Sequence, residues 1–181
     1  MTTNIWMEYI LRNISSFVGV FSSDETILPK VYPSSCIVNF SSKNDVGTHF
    51  VTLLFDNPNR CRYFDPLDLS FIPDNLSKFL SLYFPNKVYK IHFKIQHDMS
   101  NFCGIYCVFI CLLYHCNLPI LKTLERNFFQ DKLSNDEKVT RLLCQLLKRI
   151  YLPNSFKMIW SSKCKMVYHC CYLHLRNIVQ K

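Results

Sequence analysis

Glycine is scarce in this chain, with three in 181 residues, and there is no Gly/Ser tract, low-complexity stretch or internal repeat. Nothing therefore marks a linker, and a single domain over residues 1–181 is expected, with a core at 17–116 and a helical, basic part at 117–181. The opening "MTTNIWMEYILRN" lacks a basic start followed by an apolar run and a small-residue cleavage site, so no secretory signal is read. Long uncharged runs are also missing. The longest, Met99 to Leu121, is interrupted by Ser100, Asn101, His115, Asn117 and Pro119, and its apolar heart is only Phe102 to Tyr114. A membrane-spanning helix needs about 20 mainly apolar residues, so a buried core helix is expected here and no membrane segment.

Acidic residues disappear after Glu137. Residues 138–181 carry nine Lys and Arg against none, whereas residues 1–137 carry 12 against 13 acids, so the net charge of +8 is a C-terminal property. Such a block attracts polyanions, nucleic acid or an acidic peptide; a solvated helix face followed by a basic tail accounts for the charge equally well. Lys138, Arg141, Lys148 and Arg149 are the candidate DNA contacts.

What the chain has in plenty is apolar and sulfur-bearing side chains: 49% hydrophobic, 15% aromatic, ten cysteines. The cysteines sit inside apolar periodic segments and not in a short loop-rich scaffold, so free thiols in a reducing compartment are expected. "NIWMEYILRNI" predicts an N-terminal helix with Ile5, Trp6, Tyr9, Ile10 and Asn13 on one side. "SSCIVNF" reads as a buried strand, and "THFVTLLF", "DNPNR" and "CRYFDPL" as an antiparallel hairpin. A short helix over "IPDNLSKFLSLYF" precedes "YKIHFKI", whose alternation predicts a half-buried strand with Tyr89, Ile91, Phe93 and Ile95 on one face. "CGIYCVFICLLYHC" is apolar all round, as a helix buried on every side would be. Ser134 and Glu137 form a capping box ahead of an amphipathic helix that buries Val139, Leu142, Leu143, Leu146, Leu147 and Ile150. The class is α+β, a mixed, mostly antiparallel sheet packed on a buried central helix.

Cys103 begins that central helix beside Gly104, and a helix N-terminus favours thiolate. His49 begins a strand after Gly47-Thr48, and Asp65 ends the partner strand sixteen residues later, so the hairpin brings the two side by side. A thiol, an imidazole and an orienting carboxylate make a nucleophile, base and support. The spacing of Cys103, Cys107 and Cys111 also lines one helix face; packing explains the latter two. Cys164, His169, Cys170, Cys171 and His174 lack the usual zinc spacing, and no metal site is expected. His115 is expected to cap the central helix, Asp98 to cap a helix start, and His92 and His97 to lie on a strand surface and in a loop.

"GTHFVTLLFDNPNRCRYFDP" followed by "IQHDMSNFCGIYC" resembles the adenains, the adenovirus-type cysteine endopeptidases of the SUMO and ubiquitin-like protease superfamily. Their Gly-x-His-Trp strand, acidic-Pro pair, and Gln seven residues before Cys-Gly match Gly47 to Phe50, Asp65-Pro66, Gln96 and Cys103-Gly104. "FVGVF" and "CIVN" upstream also resemble family stretches, and the likeness covers roughly residues 17–110. It implies the adenain-type protease fold, with Cys103 as nucleophile, His49 as base and then acid, Asp65 as orienting group, and Gln96 with the Cys103 N–H as oxyanion donors. It further implies cleavage of virion precursor polypeptides at Gly-containing sites by a monomer in the virion and host nucleus, with viral DNA and a peptide as activators and no cofactor for the chemistry. Phe50 stands where the family has Trp, and Asp65 is the SUMO-protease choice. No cysteine lies near Pro85, so an activating peptide would be held without a disulfide. Two rival readings are a deubiquitinase or deSUMOylase-type isopeptidase and a non-enzymatic basic DNA-binding protein.

Overall fold

A computed structural model describes residues 4–25, 27, 29–128 and 132–151. In chain order these form α1 (Asn4–Leu11), β1 (Phe17–Ser22), β2 (Ser34–Asn39), β3 (Phe50–Asn57), β4 (Arg60–Phe64), α2 (Asp74–Tyr83), β5 (Val88–Ile91), α3 (Cys103–His115), α4 (Ile120–Asn127) and α5 (Leu133–Tyr151). The class is α+β. One five-stranded sheet runs in the order β1-β2-β3-β4-β5.

The sheet's two faces follow from alternation along β2 and β3. Ile37, Phe50 and Leu54 join the core under α3, while Cys36, Val38, Val51, Leu53 and Phe55 turn to the other face. There they meet Leu76, Phe79 and Leu80 of α2 and the neighbouring Phe84. With both faces covered, all of β2 and the first six residues of β3 are buried, which is why these strands read as continuous apolar runs. Residues Cys103 to Leu113 of α3 are all buried. Around α3 pack α1, α4 and α5, so the core reaches from Trp6 to Leu147. No helix among the described residues is long and apolar enough to cross a membrane.

Several expectations need correction. The sheet is mixed but not mostly antiparallel: β2-β3 and β3-β4 are antiparallel, while β1-β2 and β4-β5 are parallel. The crossover through α2 is what brings β5 back parallel to β4, as such connections do. β5 itself stops at Ile91, because β4, its sole neighbour in the sheet, ends at Phe64 and pairing runs out there. Tyr89 is consequently exposed at the sheet edge, with the Arg60 guanidinium over its ring.

The buried face of α1 is Trp6, Met7, Ile10 and Leu11, leaving Ile5 80% exposed and Asn13 in solvent. "NIWMEYIL" is apolar on more than one side, so spacing alone does not choose the stripe. Fully burying Met7, Ile10 and Leu11, at about 1.5–3 kcal/mol each, outweighs exposing one isoleucine. α5 begins at Leu133, one residue ahead of the Ser134 that the capping box would leave outside; its buried stripe of Val139, Leu143 and Leu147, flanked by Leu142, Leu146 and Ile150, is the expected one.

His115 does not cap α3. Its Nδ1 and Nε2 bond the hydroxyls of Ser16 (3.1 Å) and Ser35 (2.8 Å), and the carbonyls of Leu112 and Tyr114 are taken by the Cys116 N–H. Burial pushes the ring down to about 4, so it is neutral at pH 7. A neutral imidazole has one donor and one acceptor, which suits two serines.

Candidate active site

The turn before β3 is held from below. The Asn39 side-chain Oδ1 accepts from the backbone N–H of Ser41 (2.9 Å) and Thr48 (3.3 Å), and a side-chain carbon at Gly47 would run into the Asn39 side-chain Nδ2. Glycine is needed there because the Asn39 side chain approaches so closely. His49 follows, one residue ahead of the strand, with its carbonyl accepting from the Phe40 N–H at 2.8 Å. Phe40 meets the His49 ring edge-on, with centroids 4.9 Å apart.

The hairpin β3-β4 then does what its length predicts. Asp65, one residue beyond β4, lies beside His49, and His49 Nε2 donates to Asp65 Oδ1 at 2.7 Å. Asp65 is fully buried, yet its carboxylate also accepts from the N–H groups of Leu67 (2.9 Å) and Leu69 (3.1 Å). Burial by itself would raise this carboxyl; the hydrogen bond and charge of His49 and the two backbone donors outweigh it and hold Asp65 below its ordinary value. Burial likewise works to lower His49, but the hydrogen bond and charge of Asp65, with the Cys103 sulfur acting in the same direction, lift the ring to about 9. With Asp65 on Nε2, the ring nitrogen left for the thiol is Nδ1.

Cys103 is the first residue of α3. Phe102 at the N-cap supplies no side-chain bond, in a place where Ser, Thr, Asp or Asn would ordinarily do so. Its carbonyl takes the N–H groups of Ile105 and Tyr106, so the first amides of the helix, those of Cys103 and Gly104, have no partner within it. Asp98 is no cap either: it is exposed and paired with Lys94 at 2.6 Å.

Gln96 is brought to the same place by the chain after β5. The Pro66 carbonyl accepts from both Ile95 N–H and Gln96 N–H at 3.0 Å, which ties this segment to the residue following Asp65. The Gln96 side chain is buried; its Nε2 donates to the Ser100 carbonyl at 2.6 Å, and its Oε1 has no hydrogen-bond partner. One amide hydrogen is thus used within the loop, and one remains.

His49, Gln96 and Cys103 line a cleft of about 600 Å³ with Phe40, Phe50, Phe71, Leu67 and Leu69 along its apolar side. A thiol, an imidazole and a buried carboxylate in a row are able to activate sulfur for attack on a carbonyl. The other two cysteines of the α3 stripe have no such neighbours. Burial raises Cys111 to about 12 and Cys107 well above the usual thiol value, so both remain protonated packing groups. Every cysteine among the described residues is free. No cluster of three or more His, Cys, Asp or Glu that could hold a metal occurs among the described residues.

The candidate polyanion contacts lie on another element. Arg141, Lys148 and Arg149 are exposed on α5 and Lys138 is half-buried. The remaining basic residues of the block and the Cys164 to His174 group lie outside the described residues. Ser100 and Asp136, which bear on the site below, gave no sequence signal of their own; "SNDE" reads as a helix start.

No protein-family model matches this chain, and no curated protein matches it. Among solved structures, the ASFV pS273R protease aligns with a TM-score of 0.36 and 15% identity over 59% of this chain and 42% of that one. This chain therefore spans less than half of that protein's length. The central domain of the uncharacterized Lpg1148 protein from Legionella pneumophila aligns with a TM-score of 0.44 and 13% identity, over 79% of this chain and 98% of that domain. At these levels of likeness, the chemistry of the site rests on its own residues.

Proposed function

We propose that the protein is a cysteine endopeptidase of adenain-like type that cleaves precursor polypeptides at Gly-containing sites during virion maturation. The observation that carries this reading is the 2.7 Å bond from His49 Nε2 to buried Asp65, with Cys103 lining the same cleft at the opening of α3. In the form poised for attack the proton sits on His49 and the sulfur is a thiolate. Cys103 adds to the scissile carbonyl, and the oxyanion is met by the Cys103 N–H and the free amide hydrogen of Gln96. His49 gives its proton to the leaving amine, then takes one from water as it attacks the thioester, and collapse frees the carboxyl product and the Cys103 thiolate, restoring the starting ion pair.

The isopeptidase reading uses the same chemistry, and Asp65 is compatible with it. One assay separates the readings: purified protein, with and without DNA, is offered short Gly-Gly-containing peptides and C-terminally tagged ubiquitin-like proteins. Cleavage of the peptides, lost in Cys103→Ala, is expected. Cleavage of the tagged proteins alone would favour the isopeptidase, and no cleavage of either with intact DNA binding would leave only the DNA-binding reading. The basic face of α5 makes DNA the proposed activator, and stimulation should fade as salt rises.

A further inference from the structure

The loop between β5 and α3 is gripped at both ends by the first turn of α5. Asn135 is fully buried and its Nδ2 donates to the Ile95 carbonyl at 2.9 Å, one residue before Gln96. Asp136, also buried, accepts from the Tyr106 hydroxyl at 2.8 Å and has the Ser100 side chain as an electrostatic neighbour. Residues of these types in a first helical turn commonly serve their own backbone; here they reach across to another segment.

Ser100 is the hub. Its carbonyl holds the Gln96 amide at 2.6 Å, and its hydroxyl oxygen accepts from the Phe102 N–H at 3.2 Å, the residue just before Cys103. A serine hydroxyl has one hydrogen to give. With the Phe102 N–H already on its oxygen, that hydrogen is left for the neighbouring Asp136 carboxylate. We infer that Asp136 is a positioning residue: acting through Ser100, it sets the Gln96 amide and the Cys103 N–H in register as one oxyanion site. This rests on the protease reading of the cleft and adds to it a support that comes from the C-terminal helix.

The test separates oxyanion binding from thiol reactivity. A Gly-Gly peptide aldehyde takes the Cys103 sulfur at its carbonyl carbon and places the resulting oxygen in the oxyanion site. Iodoacetamide is attacked by the same sulfur at its methylene carbon, releasing iodide to solvent, and has no need of that site. Asp136→Asn and Ser100→Ala should each lower kcat about 10- to 100-fold and weaken aldehyde inhibition by a like factor, with KM little changed, a fraction of the roughly 10²–10³ that a lost oxyanion donor costs. The rate of Cys103 alkylation, read by mass spectrometry on the intact protein, should not change. Tyr106→Phe removes the other partner of Asp136 and should keep both kcat and aldehyde affinity. Should Asp136→Asn fail to fold, Ser100→Ala, which deletes one hydroxyl, carries the comparison alone. Unchanged turnover and aldehyde binding in Ser100→Ala, or an equal loss in Tyr106→Phe, overturns the inference while leaving the protease reading intact. Wild-type protein that alkylates at Cys103 but neither cleaves peptide nor binds aldehyde overturns the protease reading and this inference with it.

Discussion

Two histidines, His49 buried and His115 half-buried, stand near opposite ends of α3 and have opposite fates. At the N-terminal end, His49 is held by a carboxylate and is lifted to about 9; at the C-terminal end, His115 is held by two hydroxyls and is pushed down by burial to about 4. Burial acts in the same direction on both. The difference lies in the partner: a negative charge within hydrogen-bonding distance favours imidazolium, whereas a serine hydroxyl satisfies the ring without favouring its charge. One histidine is thereby poised to move protons at neutral pH and the other is a structural crosslink between α3, β2 and the residue before β1.

The contrast breaks most completely at the sulfur. Cys103→Ala and His49→Ala should each abolish peptide cleavage, a loss on the order of 10⁶-fold for groups acting as a unit, whereas Cys107→Ala on the same helix face should keep activity and lose only stability. Steady-state cleavage and thermal melting, measured side by side, separate the two outcomes. Cleavage that persists in Cys103→Ala ends the catalytic assignment.

Removing the charge that distinguishes the two histidines is the next test. Asp65→Asn keeps the volume and one acceptor but takes away the anion, and turnover should fall roughly 10²- to 10⁴-fold as His49 loses its fixed tautomer. The pH profile of the same pair of proteins reads the cause. His49 is raised, so it keeps its proton through the neutral range and yields it as pH climbs through about 9. Wild-type activity should therefore decline on the alkaline side near pH 9, and in Asp65→Asn that decline should begin at lower pH. An alkaline limb that does not move would mean Asp65 is not what lifts His49.

Much of this site was legible in the sequence because it depends on local geometry. A hairpin of known turn length fixes which residues end up side by side, so His49 and Asp65 follow from "THFVTLLFDNPNRCRYFD" alone, and Cys103 follows from the change in pattern at "NFCGIYC". The sheet core was legible for the same reason. The parts that were not legible depend on distant partners. The face of α1 is chosen by α3, the length of β5 by where β4 ends, and the neutral state of His115 by Ser16 and Ser35, which lie 99 and 80 residues away. The support of Gln96 by Asp136 belongs with these, since nothing in "SNDEK" distinguishes a cap from a reach across the core.

The smallest expected effect is on stability, and it tests the comparison at its other end. For His49 the folded value of about 9 exceeds the ordinary 6.5, so its contribution to the fold is complete below pH 6.5 and is lost as pH rises toward 9. For His115 the folded value of about 4 lies below 6.5, so the unfolded chain binds the proton first; its contribution is complete above pH 6.5 and is lost as pH falls toward 4. Replacing His115 with Gln keeps a donor and an acceptor for the two serines and removes the titration. Urea melts between pH 7 and 4 should show wild type losing up to about 1 kcal/mol per pH unit more than His115→Gln, less than the full linkage slope of ~1.4 because the ring is partly exposed. Above pH 7 the two proteins should lose stability in parallel, since His49 is common to both. A wild type that tracks the variant on the acid side would mean the two serines tolerate an imidazolium, and the opposition between the ends of α3 would then reduce to the catalytic end alone.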